Sequence, residues 1–448
     1  MNKKFMLALK GKLYIIPLLY SSGFALLSIA LLLFDRYSYE NFGGVIPEWT
    51  FISGSLSIAV FSLVSSSLIT IVTVSFSIMM VVLTIYGSQL SSRSLQDFLA
   101  KKVTLRILGY FVGTLIFTLI QLTYAKTDDH AYIISPTIAI MLLIIGVIIL
   151  IYFIHFISKS IQIAHYIDEV VKETIGLLEA SEKLVDSSIY IQGGKIEDYA
   201  KTLEGEAWEV KTIKSGYIQY YDQKKLIEIA KTANIKILCE ILIGEHILPN
   251  EVLMKVYGWE DVVDKEAIRT KLLEAVYIGF EPDLYKDIST GTKRLVDVAL
   301  KALSPGINDP STAILCIEKI GYLLLEIAKG LEANIFLDEK GEVRVIIRSI
   351  SFDRLLYNHF YQIKHYGMDD LFVIDAILSA LTMIATKSTW AIKRRVWEFA
   401  KYLIEDMNLK RYHEIEQKAL SEKIYQLSQA VGVDYAFNEW RNFSSVEE

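Results

Sequence analysis

A row of hydroxyl side chains along one uncharged stretch is the part of the sequence best suited to carry chemistry. Residues 49–92 form a run of 44 residues without a charged side chain. Hydroxyls recur in it three, four or seven residues apart, at Ser55, Ser62, Ser66, Thr70, Thr73, Ser77, Thr84 and Ser88. At about 100° per residue these positions cover less than a third of a helix circumference. The pattern predicts an apolar helix with one weakly polar face.

This hydroxyl face has two interpretations. In the first, Ser and Thr allow membrane helices to pack closely and to hydrogen-bond, with Gly109 and Gly113 of a later apolar segment as a matching groove. In the second, the face lines a pore built by several copies of the chain, because weak polar contacts let an ion enter and also leave. Arg93 would then stand at the cytoplasmic mouth. The pore-lining residues would be Ser62, Ser66, Thr70, Thr73, Ser77, Thr84 and Ser88.

A second candidate is the sequence from residue 304 to residue 310. Pro305 ends one helix, and Asp309 followed by Pro310 begins the next as its N-cap and first helical position. Gly306 can adopt a positive φ, and the sequence predicts a rigid elbow between two helices. The elbow is either a helix connection or a ligand cradle, in which free N–H groups attract an anion and Asn308 donates a hydrogen bond. The elbow residues are Ser304, Gly306, Asn308 and Asp309.

Enzyme and cofactor signatures are absent from the sequence. It contains no P-loop, no HExxH, no GxSxG and no CxxC motif. The one cluster that invites a metal is His359 and His365 with the nearby pair Asp369–Asp370, but six residues place the two histidines on nearly opposite faces of a helix. We therefore predict no enzyme activity, no cofactor and no metal.

Hydrophobicity and charge are segregated along the chain. The 448 residues are 52% hydrophobic and 22% charged. Residues 1–159 hold 11 Lys and Arg against six Asp and Glu, a net charge of +5, and the rest hold 35 against 46, a net charge of −11. The acidic part argues against a nucleic-acid partner. Cys239 and Cys316 lie in apolar runs, which predicts reduced, buried cysteines.

Four apolar segments predict a multi-pass membrane module over residues 1–159. A helix needs about 20 apolar residues to cross the hydrocarbon core. The second segment would be about 60 Å long as a helix, so we expect it to tilt, to break near Gly54 or to extend into the cytoplasm. The segments are Leu13–Phe34, Phe51–Leu90, Leu105–Thr123 and Ile133–Ile157.

The basic residues of the loops predict the orientation. Four lysines precede the first segment, and four basic residues lie around the loop between the second and third segments: Arg93, Lys101, Lys102 and Arg106. The loops on the other side offer only Arg36 and Lys126. This bias places the N-terminus and the large C-terminal part in the cytoplasm of a cell with the module in its inner membrane.

Beyond the membrane module, the sequence predicts three further regions. Residues 160–187 read as an amphipathic stalk helix that continues the fourth segment. Residues 188–350 read as a cytosolic α/β (α+β) domain with a strand at Gly216–Tyr220, a helix capped by Asp222 and a hairpin turning at Asp338–Gly341. Residues 351–448 read as a C-terminal helical bundle of about four helices.

At the elbow the chain resembles a known family. The stretch ALSPGINDPSTA, residues 302–313, is similar to the signature of domain of unknown function 2254, a family of predicted bacterial membrane proteins, and Gly216–Gln219 is similar too. The resemblance covers nearly the whole chain and implies a membrane protein, but no activity. Ser92 stands where the family commonly has Pro, and Phe280-Glu281 stands where it commonly has an Arg-Thr pair after a Gly like Gly279.

Two hypotheses follow. In the first, the chain forms a homo-oligomeric, channel-like protein in the lipid bilayer, whose second helix lines a pore for ions and whose acidic domain gates it. In the second, it is a membrane-anchored sensor or scaffold whose cytosolic domain binds a small ligand or a protein partner near the elbow, and the hydroxyl row serves helix packing.

Overall fold

The computed structural model describes residues 14–42, 47–89, 98, 101–125, 132–183, 190–192, 199, 203, 205–260, 262–280, 288–329, 333–407 and 412–433. The chain divides into two compact units, residues 1–165 and residues 166–448.

Four helices make up the first unit: α1 (Ile15–Phe42), α2 (Gly54–Gln89), α3 (Lys102–Tyr124) and α4 (Ser135–Ser160). Each contains a stretch long and apolar enough to cross a membrane. These are the four segments that the sequence predicts. Helix α2 begins at Gly54 and continues for 36 residues, so the extra length of the second segment lies in one helix about 54 Å long.

Helix α3 lies at the centre of the first unit, in contact with α1, α2 and α4. A Cβ atom added to Gly109 would lie 2.9 Å from the Tyr20 Cβ, and one added to Gly113 would lie 2.5 Å from the Phe24 Cδ2. The glycine groove of α3 is therefore filled by α1. Polar contacts join the same helices, because the Gln121 side-chain amide donates to the Ser28 carbonyl at 3.0 Å and the Ser28 hydroxyl donates to the Phe117 carbonyl at 3.3 Å.

At one end of the unit, α1, α2 and α4 are tied together. A short antiparallel pair joins β1 (Ile52–Ser53) before α2 to β2 (Tyr132–Ile133) before α4. The Asp35 carboxylate of α1 accepts the N–H groups of Ile134 at 2.9 Å and Ser135 at 3.3 Å, where α4 begins. An acidic side chain at a helix N-terminus is stabilising because it satisfies the free N–H groups there.

At the other end, α2 is joined to the last residue of α4. The buried Tyr86 hydroxyl donates to the Ser160 carbonyl at 2.6 Å, and the Tyr86 ring lies 4.9 Å from the Phe98 ring, centroid to centroid. Helix α4 ends at Ser160 and α5 (Ile163–Lys183) begins after two further residues. The sequence suggested that the fourth segment continues unbroken into the next helix. In the structure, two residues separate the two helices.

From Tyr166 onward, α5 is part of the second unit. Its apolar face, including Ile167 and Val170, is buried. Its polar side chains form ion pairs with other helices of the unit, Asp168 with Lys319 at 3.1 Å and Glu173 with Arg294 at 3.1 Å. The segment predicted as a stalk is thus a helix with its apolar face packed in this unit.

Two sheets form the α/β part of the second unit. The larger has the strand order β3-β10-β11-β6-β8-β4, antiparallel except between β11 and β6, and the smaller has the order β7-β5-β9. Helices α6 (Gln223–Thr232) and α7 (Lys265–Glu274) accompany them, and Asp222 caps α6 as predicted. The strands are β3 (Tyr190–Gln192), β4 (Trp208–Lys211), β5 (Gly216–Tyr221), β6 (Lys236–Cys239), β7 (His246–Ile247), β8 (Val252–Tyr257), β9 (Val276–Gly279), β10 (Ala333–Leu337) and β11 (Val343–Arg348).

The predicted hairpin is present and is locked by one arginine. Arg344 on β11 donates to the Asp338 carboxylate at 2.8 Å, to the Asn234 side chain at 2.9 Å and to Glu342 at 2.9 Å. Arg344 and Asp338 are both buried. Because the guanidinium uses all three nitrogens, it joins the hairpin turn to the loop after α6.

The helical part of the second unit contains more than the C-terminal helices. Helices α8 and α9, which precede the β10–β11 hairpin, pack against the helices that follow it. Close packing is visible where α9 meets α11, since a Cβ atom added to Gly321 would lie 2.7 Å from the Ala380 Cβ. The helices are α8 (Ile288–Ala302), α9 (Pro310–Ala328), α10 (Phe352–Gly367), α11 (Leu371–Thr386), α12 (Trp390–Glu405) and α13 (Glu414–Val431).

Candidate functional site

The hydroxyl face of α2 is exposed in the folded chain. The buried face of α2 carries Phe61, Val64, Leu68 and Tyr86. At about 100° per residue, the middle of the hydroxyl row lies on the opposite side of the helix from these residues. The exposed members are Ser55, Ser62, Ser66, Thr70, Thr73, Ser77, Thr84 and Ser88. The row therefore points away from the helices of its own chain.

The exposure of the hydroxyl row limits which helices it can pack against. The groove of Gly109 and Gly113, which the sequence offers to the hydroxyl row, is occupied by Tyr20 and Phe24 of α1 instead. The row does not pack against α3. What remains is contact with lipid, with a helix of another chain, or with water.

Most hydroxyls of the row donate to their own helix. Thr70 donates to the Ser66 carbonyl at 3.1 Å, Thr73 to Ile69 at 2.9 Å and Thr84 to Met80 at 3.0 Å. Ser66 and Ser88 donate to carbonyls three residues earlier. A hydroxyl that has donated its hydrogen still has acceptor lone pairs. The outer side of the row is therefore a line of weak acceptors, suited to water or a partly hydrated cation.

Sequence spacing did not single out Tyr86. It is the one tyrosine of α2, and a tyrosine buried in an apolar helix is expected to find a hydrogen-bond acceptor for its hydroxyl. The sequence alone could therefore have marked Tyr86 as a hydrogen-bonding residue. Only the structure identifies its acceptor, the Ser160 carbonyl. Arg93, predicted at the cytoplasmic mouth, lies outside the described residues, so its role stays a prediction.

The elbow is a helix connection whose helix start is already capped. Asp309 caps α9, and Pro310 occupies its first turn, as predicted. The Asp309 carboxylate accepts the Thr312 N–H at 3.1 Å and the Thr312 hydroxyl at 2.6 Å. The helix start thus holds an anion of its own, so the predicted attraction for an external anion is weakened.

The turn within the elbow differs from the prediction at Gly306. The positive φ, 50°, belongs to Asn308, and Gly306 does not adopt one. Asn tolerates the left-handed region, and this conformation brings the N–H groups of Ile307 and Asn308 to the Ser304 carbonyl, both at 2.9 Å. These N–H groups are therefore used within the elbow, and a ligand cradle there stays a prediction.

Comparison with known proteins identifies the family. A family model described as "Predicted membrane protein (DUF2254)" matches residues 10–383. The chain belongs to this family. Two relatives are the uncharacterized proteins Mb1321c of Mycobacterium bovis and Rv1290c of Mycobacterium tuberculosis, each 28% identical over 336 residues, or 72% of this chain and 62% of the relative. The chain thus spans less than two thirds of their length. No solved structure matches it.

In this DUF2254 protein a side chain packs over Gly279. A Cβ atom added to Gly279, at the end of β9, would collide with the Gln219 side chain on β5. Gly279 therefore allows Gln219 to lie across the small sheet. The next residue, Phe280, is exposed, and residues 281–287 lie outside the described residues.

The histidines of this DUF2254 protein have separate environments. His359 is fully buried, and its Nδ1 donates to the Leu355 carbonyl at 2.6 Å while its Nε2 accepts from the Thr292 hydroxyl at 2.6 Å. Burial lowers the pKa of His359 to about 4. His365 is exposed, and Asp370 caps α11 by accepting the Phe372 N–H at 2.9 Å. Among the described residues, no group of three or more His, Cys, Asp or Glu side chains could hold a metal ion.

Both cysteines are free and buried, as predicted. Burial raises the pKa of the Cys239 and Cys316 thiols well above the usual range. Since the thiolate is the reactive form, neither thiol is suited to nucleophilic chemistry.

Proposed function

We propose that this chain is the subunit of a homo-oligomeric channel in the inner membrane, with α2 lining the pore. The N-terminus and the second unit lie in the cytoplasm, and the second unit gates the pore. The observation that carries the proposal is the hydroxyl row, which faces away from the helices of its own chain. The pore-lining residues are Ser62, Ser66, Thr70, Thr73, Ser77, Thr84 and Ser88.

The length of the row supports a pore. From Ser62 to Ser88 it runs for about seven turns, which is longer than a local polar contact between two helices needs. Because most of its hydroxyls donate to their own helix, the row offers weak acceptors to a permeant ion. No charged side chain lies in α2, so an ion that enters is not trapped there.

The exposed surfaces of α1 and α4 differ from that of α2, and this difference supports the assignment of α2 to the pore. The exposed side chains of α1 include Leu18 and Leu26, and those of α4 include Ile144, Ile148 and Ile151. These surfaces are mainly apolar, with Ser22 as an exposed hydroxyl on α1. A row of hydroxyls on the neighbouring α2 differs from them in the way expected of a surface that faces water inside an assembly.

The test is ion flux from proteoliposomes that hold the purified full-length protein, with K⁺ and Cl⁻ measured separately under varied voltage, tension and pH. The Thr73→Leu variant should abolish the flux, because it places an isobutyl group in the pore. The matched control is Ser22→Leu: Ser22 is an exposed hydroxyl of α1 that also donates to its own helix, to the Leu19 carbonyl at 3.0 Å. That variant should conduct as the wild type does.

Equal flux from the wild type and Thr73→Leu would show that α2 does not line the pore. If no condition and no variant gives flux, the result favours the alternative hypothesis, a membrane-anchored sensor or scaffold, over the channel. A metabolite screen on the full-length protein, read as a shift in melting temperature, then becomes the next experiment.

A further inference from the structure

One large apolar side chain interrupts the hydroxyl row. Within the sector of α2 that the hydroxyls span, the two residues without a hydroxyl are Ala59 and Met80. Met80 lies 18 residues after Ser62, which is about five full turns, so the two share one direction from the helix axis. The Met80 side chain is 61% exposed, which means that it projects from the same open face as the hydroxyls.

The level of Met80 along the helix is fixed by a nearby anchor. Tyr86, six residues later, is buried about 120° around α2 from Met80, and its hydroxyl donates to the Ser160 carbonyl at the end of α4. Six residues correspond to about 9 Å along the helix. Met80 is therefore held a short distance inside the end of α2 where α4 also ends.

We propose that Met80 is the hydrophobic gate of the pore. In an assembly whose copies line the pore with α2, the Met80 side chains form one ring at a single level, and this ring expels water when the pore is closed. This inference rests on the proposed function above. It names the residue that regulates the same pore.

The chemistry of the ring determines what it excludes. A thioether carries no charge and accepts hydrogen bonds only weakly, so an ion crossing the ring loses hydration without compensation. Hydrophobic constrictions of this kind close pores by dewetting. Since α2 contains no charged residue, the barrier acts on cations and anions alike. Methionine is also unbranched and flexible, so small movements of α2 change the width of the ring.

The test uses the same proteoliposomes with Met80→Ser, which continues the hydroxyl row through the gate. Basal flux of K⁺ and of Cl⁻ should both rise about tenfold or more, equivalent to a barrier lower by ~1.4 kcal/mol. Met80→Leu keeps a large apolar side chain and should conduct as the wild type does. The matched control is Met141→Ser, the same change at an exposed methionine of α4, which should leave the flux unchanged.

The outcomes separate the gate from the pore. If Thr73→Leu abolishes the flux but Met80→Ser leaves it at the wild-type level, the gate assignment is wrong and the pore assignment stands. If the wild type shows no flux and the Met80→Ser variant conducts, the result supports both the pore and the gate assignments. If the wild type and Met80→Ser are both silent, or if Met141→Ser raises the flux equally, the gate assignment is wrong. Size-exclusion profiles and melting temperatures of the wild type and the four variants show whether a variant has failed to fold.

Discussion

Single residues of this protein owe their properties to what surrounds them, and His359 is the clearest case. Its two ring nitrogens are both used, by a carbonyl of its own helix and by the Thr292 hydroxyl. That arrangement requires a neutral ring, since a protonated ring would have to donate from both nitrogens.

The first prediction concerns pH. The pKa of His359 is about 4 in the folded state against 6.5 for an ordinary histidine. The unfolded state therefore binds more protons, and the free energy of unfolding should fall as the pH falls from 6.5 towards 4, by up to ~3 kcal/mol from this residue. Above pH 6.5 His359 contributes no pH dependence.

Thermal melting of the purified protein between pH 4.5 and pH 8 measures this effect. The His359→Gln variant, which keeps a donor and an acceptor but does not titrate, should show a shallower loss of melting temperature on the acid side. Parallel curves for wild type and variant would show that the buried imidazole does not carry the effect.

The second prediction concerns Arg344. Its guanidinium donates to three acceptors, the Asp338 and Glu342 carboxylates of the hairpin and the Asn234 side chain in the loop after α6. Replacement by Lys keeps the charge but loses the fork geometry, so Arg344→Lys should lower the free energy of unfolding by ~1–3 kcal/mol. Denaturant unfolding measures it, and Arg269→Lys, at a more exposed ion pair with Glu266, is the control that should change little.

At the scale of elements, the α1–α3 contact decides which face of α2 is left open. Because α1 fills the groove at Gly109 and Gly113, α3 has no small-residue surface left for the hydroxyl row. The row is exposed as a consequence of packing elsewhere in the unit. This relation could not be read from α2 alone.

The third prediction tests that contact. A Cβ atom added to Gly109 would lie 2.9 Å from the Tyr20 Cβ and 3.1 Å from the Pro17 Cα, and the latter is backbone that cannot easily give way. Gly109→Ala should therefore destabilise the full-length protein by ~1–3 kcal/mol. The control is Gly23→Ala on α1, where the added methyl meets no atom within 4 Å and should be neutral or slightly stabilising. Equal melting temperatures for the two variants would contradict this packing.

The fourth prediction concerns the elbow as the start of α9. Removing the cap in Asp309→Ala should cost about 1 kcal/mol of stability, because the Thr312 N–H loses its acceptor. Asp309→Asn, which keeps a side-chain oxygen, should lose much less. A large loss of flux or of ligand response in Asp309→Asn without a loss of stability would instead indicate that the carboxylate binds something.

At the scale of the whole molecule, the sequence predicted more of the architecture than of the site. Apolar length alone located the four spans, for instance Leu105–Thr123 against the helix Lys102–Tyr124. Turn chemistry located the hairpin at Asp338–Gly341, since a turn between two β-rich runs is a local property. The sequence did not single out Asn308 as the residue with the positive φ, because either Gly306 or Asn308 can adopt one and local sequence does not decide between them.

Long-range packing explains the remaining differences. The sequence placed α8 and α9 with the α/β region, because they precede the β10–β11 hairpin. The structure packs them against α10 and α11, so helices from both sides of the hairpin share one bundle. The exposure of the hydroxyl row belongs to the same class, since it involves the contact between α1 and α3, two helices that are separated along the chain by α2.

The fifth prediction concerns assembly. If α2 lines a pore between copies, the native mass of the protein in detergent, after subtraction of bound detergent, should be a multiple of the 50.9 kDa chain. Light scattering coupled to size-exclusion chromatography measures it. A monomer at every concentration and in every mild detergent would argue against an assembly around α2.

The burial of Cys239 and Cys316 has a practical consequence for all of these questions. Both thiols are shielded and hold their protons, so the unmodified chain should be nearly inert to water-soluble maleimides under native conditions. It is therefore a natural labelling background. Single cysteines introduced along α2 would report directly which positions meet water, and a reaction pattern repeating every three to four residues would trace the wetted side of the helix.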